Sequence, residues 1–117
     1  QFGIRSGERA EFAWGKDHVH THKFDFEGLE EVIEKLAGKP VYFTIDLDCL
    51  DPSVFPGTGT PEAGGVTFME LLDAIKLVAK TNIVGADVNE LAPMLDNSGA
   101  STAVACKVLR ELMLAIL

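Results

Sequence analysis

Val41-Tyr42-Phe43-Thr44-Ile45 runs directly into Asp46-Leu47-Asp48, and a loop rich in proline and glycine follows from Leu50 to Gly65. All five residues of the first run are β-branched or aromatic, the types that suit a pleated, half-buried surface, so the run reads as a strand. Two carboxylates sit where that strand ends.

Outward from this stretch the hydrophobic period changes from two to nearly four. Upstream, Phe26, Leu29, Val32, Ile33 and Leu36 recur at helical spacing, which predicts a helix capped by Asp25 and running to about Ala37. Gly38 stops it and Pro40 keeps it stopped. Downstream, Thr67 and Glu70 form a capping-box pair, and Phe68, Leu71, Leu72, Ile75 and Val78 make the buried face of the next helix. Asn82 to Val88 reads as a second strand, leaving through Asn89-Glu90 before Pro93. A last helix, Gly99 to Ala115, carries Val104, Val108, Leu112 and Ile116 on its apolar side. At the other end, Phe2 to Arg5 reads as a short strand and the mixed polar stretch Glu8 to Lys23 as irregular.

Strands alternating with helices predict one α/β domain over residues 1–117, with a parallel sheet, flanking helices and right-handed crossovers. Ligands in such sheets bind beyond the carboxyl ends of the strands. Asp46-Leu47-Asp48 and Asp87-Val88-Asn89-Glu90 both lie at such ends.

Composition narrows the partners. A net charge of −8 argues against nucleic acid, whose phosphates call for a basic surface. No apolar run approaches the roughly 20 residues that span a bilayer, so no membrane is expected. Two cysteines, Cys49 and Cys106, make no disulfide framework and read as reduced thiols of a cytoplasmic protein. The chain shows no signal peptide and opens without methionine inside a strand-like run, as a piece of a longer protein would.

On a strand, side chains two apart share a face, so Asp46 and Asp48 are expected to converge on one point. Neighbouring anions repel unless a cation or a shared proton compensates, and hard oxygen donors suit manganese or magnesium. The plainer alternative is that the pair caps the loop through its own backbone amides.

A longer pattern surrounds the pair. Thr44-Ile45-Asp46-Leu47-Asp48, Asp51-Pro52, Pro56-Gly57-Thr58-Gly59-Thr60-Pro61 and Gly64-Gly65 together resemble a metal-binding signature of the arginase/agmatinase family. Gly3-Ile4-Arg5-Ser6-Gly7 and Val88-Asn89-Glu90-Leu91-Ala92-Pro93, with Asp96 and Thr102-Ala103 beyond, are similar to the agmatinase branch. The resemblance implies the carboxyl-terminal portion of an arginase-like three-layer fold with a binuclear manganese site. It implies that Asp46 bridges the two ions, that Asp48 binds one, and that Glu90 holds the substrate guanidinium with Thr58 near the same group. The implied activity is hydrolysis of a small cationic guanidino substrate, agmatine foremost, to putrescine and urea, in an oligomer of identical subunits. The family's remaining ligands lie in a Gly-Gly-Asp-His segment and an Asp-x-His-x-Asp segment, neither of which occurs in these 117 residues. The chain alone is therefore expected to be inactive.

Other residues invite weaker readings. His18, His20 and His22 alternate, but have no acidic or cysteine partner at ligand spacing and read as polar surface. Cys49 reads as a small buried hydrophobe, and Trp14 with Phe12, Phe24 and Phe26 as packing residues. A phosphatase of the haloacid dehalogenase type also carries Asp-x-Asp at a strand end, although Leu50 and the Gly57–Gly65 loop do not suit it. A non-catalytic assembly fragment is the rival from another class.

Overall fold

The computed structural model describes all residues, 1–117. Its elements in chain order are β1 (Phe2–Ile4), α1 (Arg9–His18), β2 (His22–Lys23), α2 (Leu29–Lys35), β3 (Pro40–Asp46), α3 (Phe68–Val78), β4 (Asn82–Asn89) and α4 (Ala100–Ile116), with single 3-10 turns at Leu47–Cys49 and Pro93–Leu95. The strands form two parallel pairs, β1 with β2 and β3 with β4, rather than one continuous sheet. In the larger pair Thr44 stands opposite Asp87, Ile45 opposite Val88 and Asp46 opposite Asn89, so both strands end on the same rung.

Alternation along β3 explains how it packs. Ile45 is buried with Leu47, Leu50, Phe55, Val66, Leu71, Ile75, Ala105, Val108 and Leu112, and Phe43, Ala86 and Val88 pack against this cluster. The opposite face carries Tyr42, 64% exposed. The β3–β4 pair thus has its helices on one face. Of the three layers expected, this chain supplies the sheet and one helical layer, in a slab of 42 × 39 × 20 Å. No helix is long and apolar enough to cross a membrane.

Two sequence expectations are corrected. Glu8 to Lys23 is not irregular: it holds α1 and then β2. Helix α1 escapes a periodicity test because it buries only Gly15 and so carries no apolar stripe. It is held by helix-forming residues and by local contacts, including Trp14 stacked on His18 at 4.1 Å between ring centroids. The second correction concerns α2, which begins at Leu29 and not next to Asp25. Asp25 Oδ1 accepts from the Glu27 amide at 3.0 Å, closing a turn two residues on, and Gly28 then adopts φ +79° before the helix starts. At Thr67 the expected capping box is present in both directions.

Candidate metal and substrate site

The loop after β3 owes its shape to an aspartate and a glycine. Asp51 Oδ1 accepts from the amide and hydroxyl of Ser53, and Oδ2 from the amides of Gly64 and Gly65 at 2.9 and 3.2 Å, which ties the far end of the loop to its start. These donors, the Ser53 hydroxyl foremost, pull the Asp51 carboxyl down to about 2 from its usual 3.8. Gly65 is required for the closure: a Cβ there would stand 2.4 Å from the Asp51 amide nitrogen.

Further along, Gly57 is clamped on both sides. Its amide donates to Ser101 Oγ at 2.8 Å, and its carbonyl accepts from the Ala92 amide at 2.8 Å. The loop is thereby fixed both to the start of α4 and to the segment that leaves β4 past Glu90. Asp96 completes the clamp, accepting from the Ser101 amide and from Ser98; the Ser101 and Ser98 side chains are the main reason its carboxyl lies well below the usual carboxylate range. This contact set is invisible to pattern reading, since Asp96 and Ser101 lie more than 30 residues from the loop they hold.

Against this frame, Asp46 is the last residue of β3 and is exposed. Asp48 lies in the 3-10 turn Leu47–Cys49 and is half-buried. The expectation that both share one face of a strand is corrected, because the strand stops at Asp46. The two still share a neighbourhood: the Cys49 thiol, raised to about 12 chiefly by burial, is pushed up further by Asp48 and by Asp46. Burial of this kind disfavours the thiolate, the form in which a cysteine acts as a nucleophile. Asp48 Oδ2 accepts from Thr60 Oγ1 at 3.1 Å.

Glu90 is the first residue past β4, one step beyond the rung that pairs Asp46 with Asn89. It is exposed, and its backbone is left-handed at φ 71°, unusual for a residue with a side chain. Thr58, expected near the substrate, is only 1% exposed, and its hydroxyl has no hydrogen-bond partner. Thr58 is thus buried within the loop, and Thr60 is the exposed threonine at its rim, bonded to Asp48. On the outer face of the sheet Asp87 accepts from Tyr42 Oη and Thr44 Oγ1, both at 2.7 Å, and from Asn89 Nδ2. These donors, Thr44 foremost, hold its carboxyl below the ordinary value.

The histidines do not converge. His18 ends α1 against Trp14, and His22 stacks on Phe2 in β2 at 4.6 Å between centroids. No group of three or more His, Cys, Asp or Glu side chains is placed to hold a metal ion. Asp46 and Asp48 therefore fit a hard divalent ion in kind, as carboxylate oxygens at an open strand end, but do not complete a ligand set by themselves.

Parallel strands with helices packed behind them and acidic groups at their carboxyl ends define an α/β protein. The arginase family model matches residues 1–115, and the chain belongs to the arginase family. It is 54% identical to the agmatinase of Bacillus cereus over 117 residues, covering 97% of this chain and 40% of that protein. Its fold superimposes on proclavaminate amidino hydrolase from Streptomyces clavuligerus with a TM-score of 0.83 at 32% identity, covering 99% of this chain and 41% of the other. For the arginase of Bacillus caldovelox the TM-score is 0.81 at 30% identity, with 95% and 41% covered. The chain thus spans about 40% of the length of the curated relatives it matches. Family membership removes the haloacid dehalogenase alternative.

Proposed function

We propose that a full-length protein carrying this segment hydrolyses a guanidino compound, agmatine foremost, to putrescine and urea. The observation that carries the reading is the common rung on which β3 and β4 end, which brings the Asp46–Asp48 turn and Glu90 to one edge of the sheet. The agmatinase relatives support the choice of substrate class.

In this reading Asp46 and Asp48 contribute ligands to a binuclear manganese site whose other ligands come from outside the 117 residues. Bound divalent ions of this kind supply Lewis acidity and a water of lowered pKa. The remaining work belongs to the chain's own groups. A guanidinium cation pairs with a carboxylate through charge-assisted hydrogen bonds, and Glu90 is an exposed carboxylate at the same sheet edge as the acidic turn. Its left-handed backbone aims a side chain where a relaxed residue would not, a cost that a binding role explains. Thr60 orients the Asp48 carboxylate through its hydroxyl. The clamped Gly57 peptide holds the Glu90 segment and the Thr60 loop at a fixed separation, which is what positioning of a reacting group demands. Assembly as identical subunits in the cytoplasm belongs to the same proposal.

The test is urea release by the full-length protein with manganese, comparing agmatine with arginine and guanidinobutyrate. Agmatine is expected to be turned over fastest, Asp46→Asn to abolish nearly all turnover, and the 117-residue chain alone to release no urea. Turnover by the full-length protein that is indifferent to Asp46→Asn would sink the reading.

A further inference from the structure

Arg5 directly follows β1, and its guanidinium donates to four backbone carbonyls. Nε donates to the Glu62 carbonyl at 3.1 Å, Nη1 to those of Gly3 and Cys49 at 3.2 and 3.1 Å, and Nη2 to that of Asp48. No carboxylate lies within ion-pair reach of it. Three separate pieces of chain thus meet on one planar cation: β1, the turn that carries Asp48, and the loop beyond Pro61. The Cys49 carbonyl accepts a second bond from the Val66 amide at 3.0 Å, so the turn is held from two directions. Next to Arg5, Ser6 donates its hydroxyl to Glu62 Oε2 at 2.6 Å, a contact that reaches the loop but not the turn.

A charged group satisfied only by neutral carbonyls is an uncommon use of arginine. Its rigid fork can span acceptors on several segments; the single ammonium of lysine cannot. The 3-10 turn is short, so the backbone that Arg5 holds sets where the Asp48 side chain starts. Loss of a group that orients a metal ligand typically weakens metal binding about tenfold to a hundredfold.

We infer that Arg5 is a positioning residue for the metal site: by gathering the Asp48, Cys49 and Glu62 carbonyls it fixes the turn that presents the Asp48 carboxylate before any cation arrives. This rests on the manganese reading above.

The test uses the full-length protein as wild type, Arg5→Lys, Arg5→Gln and Ser6→Ala. Manganese dissociation constants are read from the electron paramagnetic resonance of free Mn2+, together with circular dichroism and the KM for agmatine at saturating manganese. Both Arg5 variants are expected to bind manganese about tenfold to a hundredfold more weakly, with wild-type spectra and little change in KM once the metal is saturating. Arg5→Lys keeps the charge, so its loss of affinity assigns the effect to the fork. Ser6→Ala, which touches only Glu62, should bind as wild type does. Wild-type affinity in Arg5→Lys would overturn the inference while leaving the manganese reading intact. Loss of fold in both Arg5 variants would also overturn it, making Arg5 a plain structural tie. A wild-type protein that binds no manganese would overturn both readings together.

Discussion

The Gly57 amide donates to Ser101 Oγ at 2.8 Å, and both residues are buried. A glycine loop and a helix start more than 40 residues apart are thereby joined through one hydroxyl. The join has no slack: a Cβ on Gly57 would stand 2.7 Å from Ser101 Cβ and 2.9 Å from Asp96 Cβ.

Two substitutions test this join from opposite sides. Gly57→Ala overfills the contact and should destabilise the full-length protein by about 1–3 kcal/mol. Ser101→Ala leaves the Gly57 amide without an acceptor in a buried site and should cost about 1–3 kcal/mol as well. Denaturant titration measures both. Because the two residues share one contact, the double variant should cost less than the sum of the singles. Simple additivity would mean that the contact carries no energy.

Asp51 predicts an acid dependence. Its folded carboxyl is held at about 2 against an ordinary 3.8, first by the Ser53 hydroxyl and then by the amides of Ser53, Gly64 and Gly65. A depressed folded pKa stabilises the native state above the unfolded value and loses that effect as pH falls through the folded one. Asp51→Asn should therefore be less stable than wild type at neutral pH, with the gap closing between about pH 4 and pH 2. Urea titrations across that range check it. A gap that stays constant down to pH 2 would mean that the carboxylate charge is not what holds the loop.

Glu90 ties stability to function. A left-handed backbone costs a residue with a side chain about 1 kcal/mol, and glycine escapes that cost. Glu90→Gly should make the full-length protein more stable by about 1 kcal/mol while agmatine turnover collapses. Glu90→Gln keeps the strain and the size, so it should leave stability unchanged and raise KM for the cationic substrate. A fully active Glu90→Gly protein would remove Glu90 from the substrate site.

Much of this architecture was legible in the residues. The β-branched and aromatic run 41–45, the capping box at Thr67 and Glu70, and the stripe through Leu71, Ile75 and Val78 are local signals, and the structure realises each of them. Helix α1 was illegible because it buries almost nothing, and periodicity reports only burial. The start of α2 was misplaced because Asp25 closes its own turn and Gly28 resets the backbone. At the site, the acidic strand ends could be read from spacing, but the 3-10 turn that carries Asp48 could not. The carbonyl cage around Arg5 and the Ser101–Gly57 join were beyond reach for a different reason. Each is made of contacts between segments whose meeting depends on the whole fold, with no local pattern to announce it.

Thr58 and Thr60 are chemically identical and two residues apart, so they make a controlled comparison. Thr58 Oγ1 is buried without a partner, and a buried unpaired hydroxyl carries an unrecovered desolvation cost. Thr58→Val replaces it with a methyl group of nearly the same shape, and should leave the full-length protein as stable as wild type or more so, with KM and kcat unchanged. Thr60→Val removes the 3.1 Å bond to Asp48 Oδ2 at an exposed position. Stability should barely move, since the contact is open to water. Turnover should fall and manganese binding weaken, because Asp48 loses the group that orients it. Thermal denaturation and urea assays on the two variants side by side separate the roles. If Thr58→Val abolishes turnover while Thr60→Val does not, the rim of the site has been assigned to the wrong threonine, and the loop must open to expose Thr58 when substrate binds.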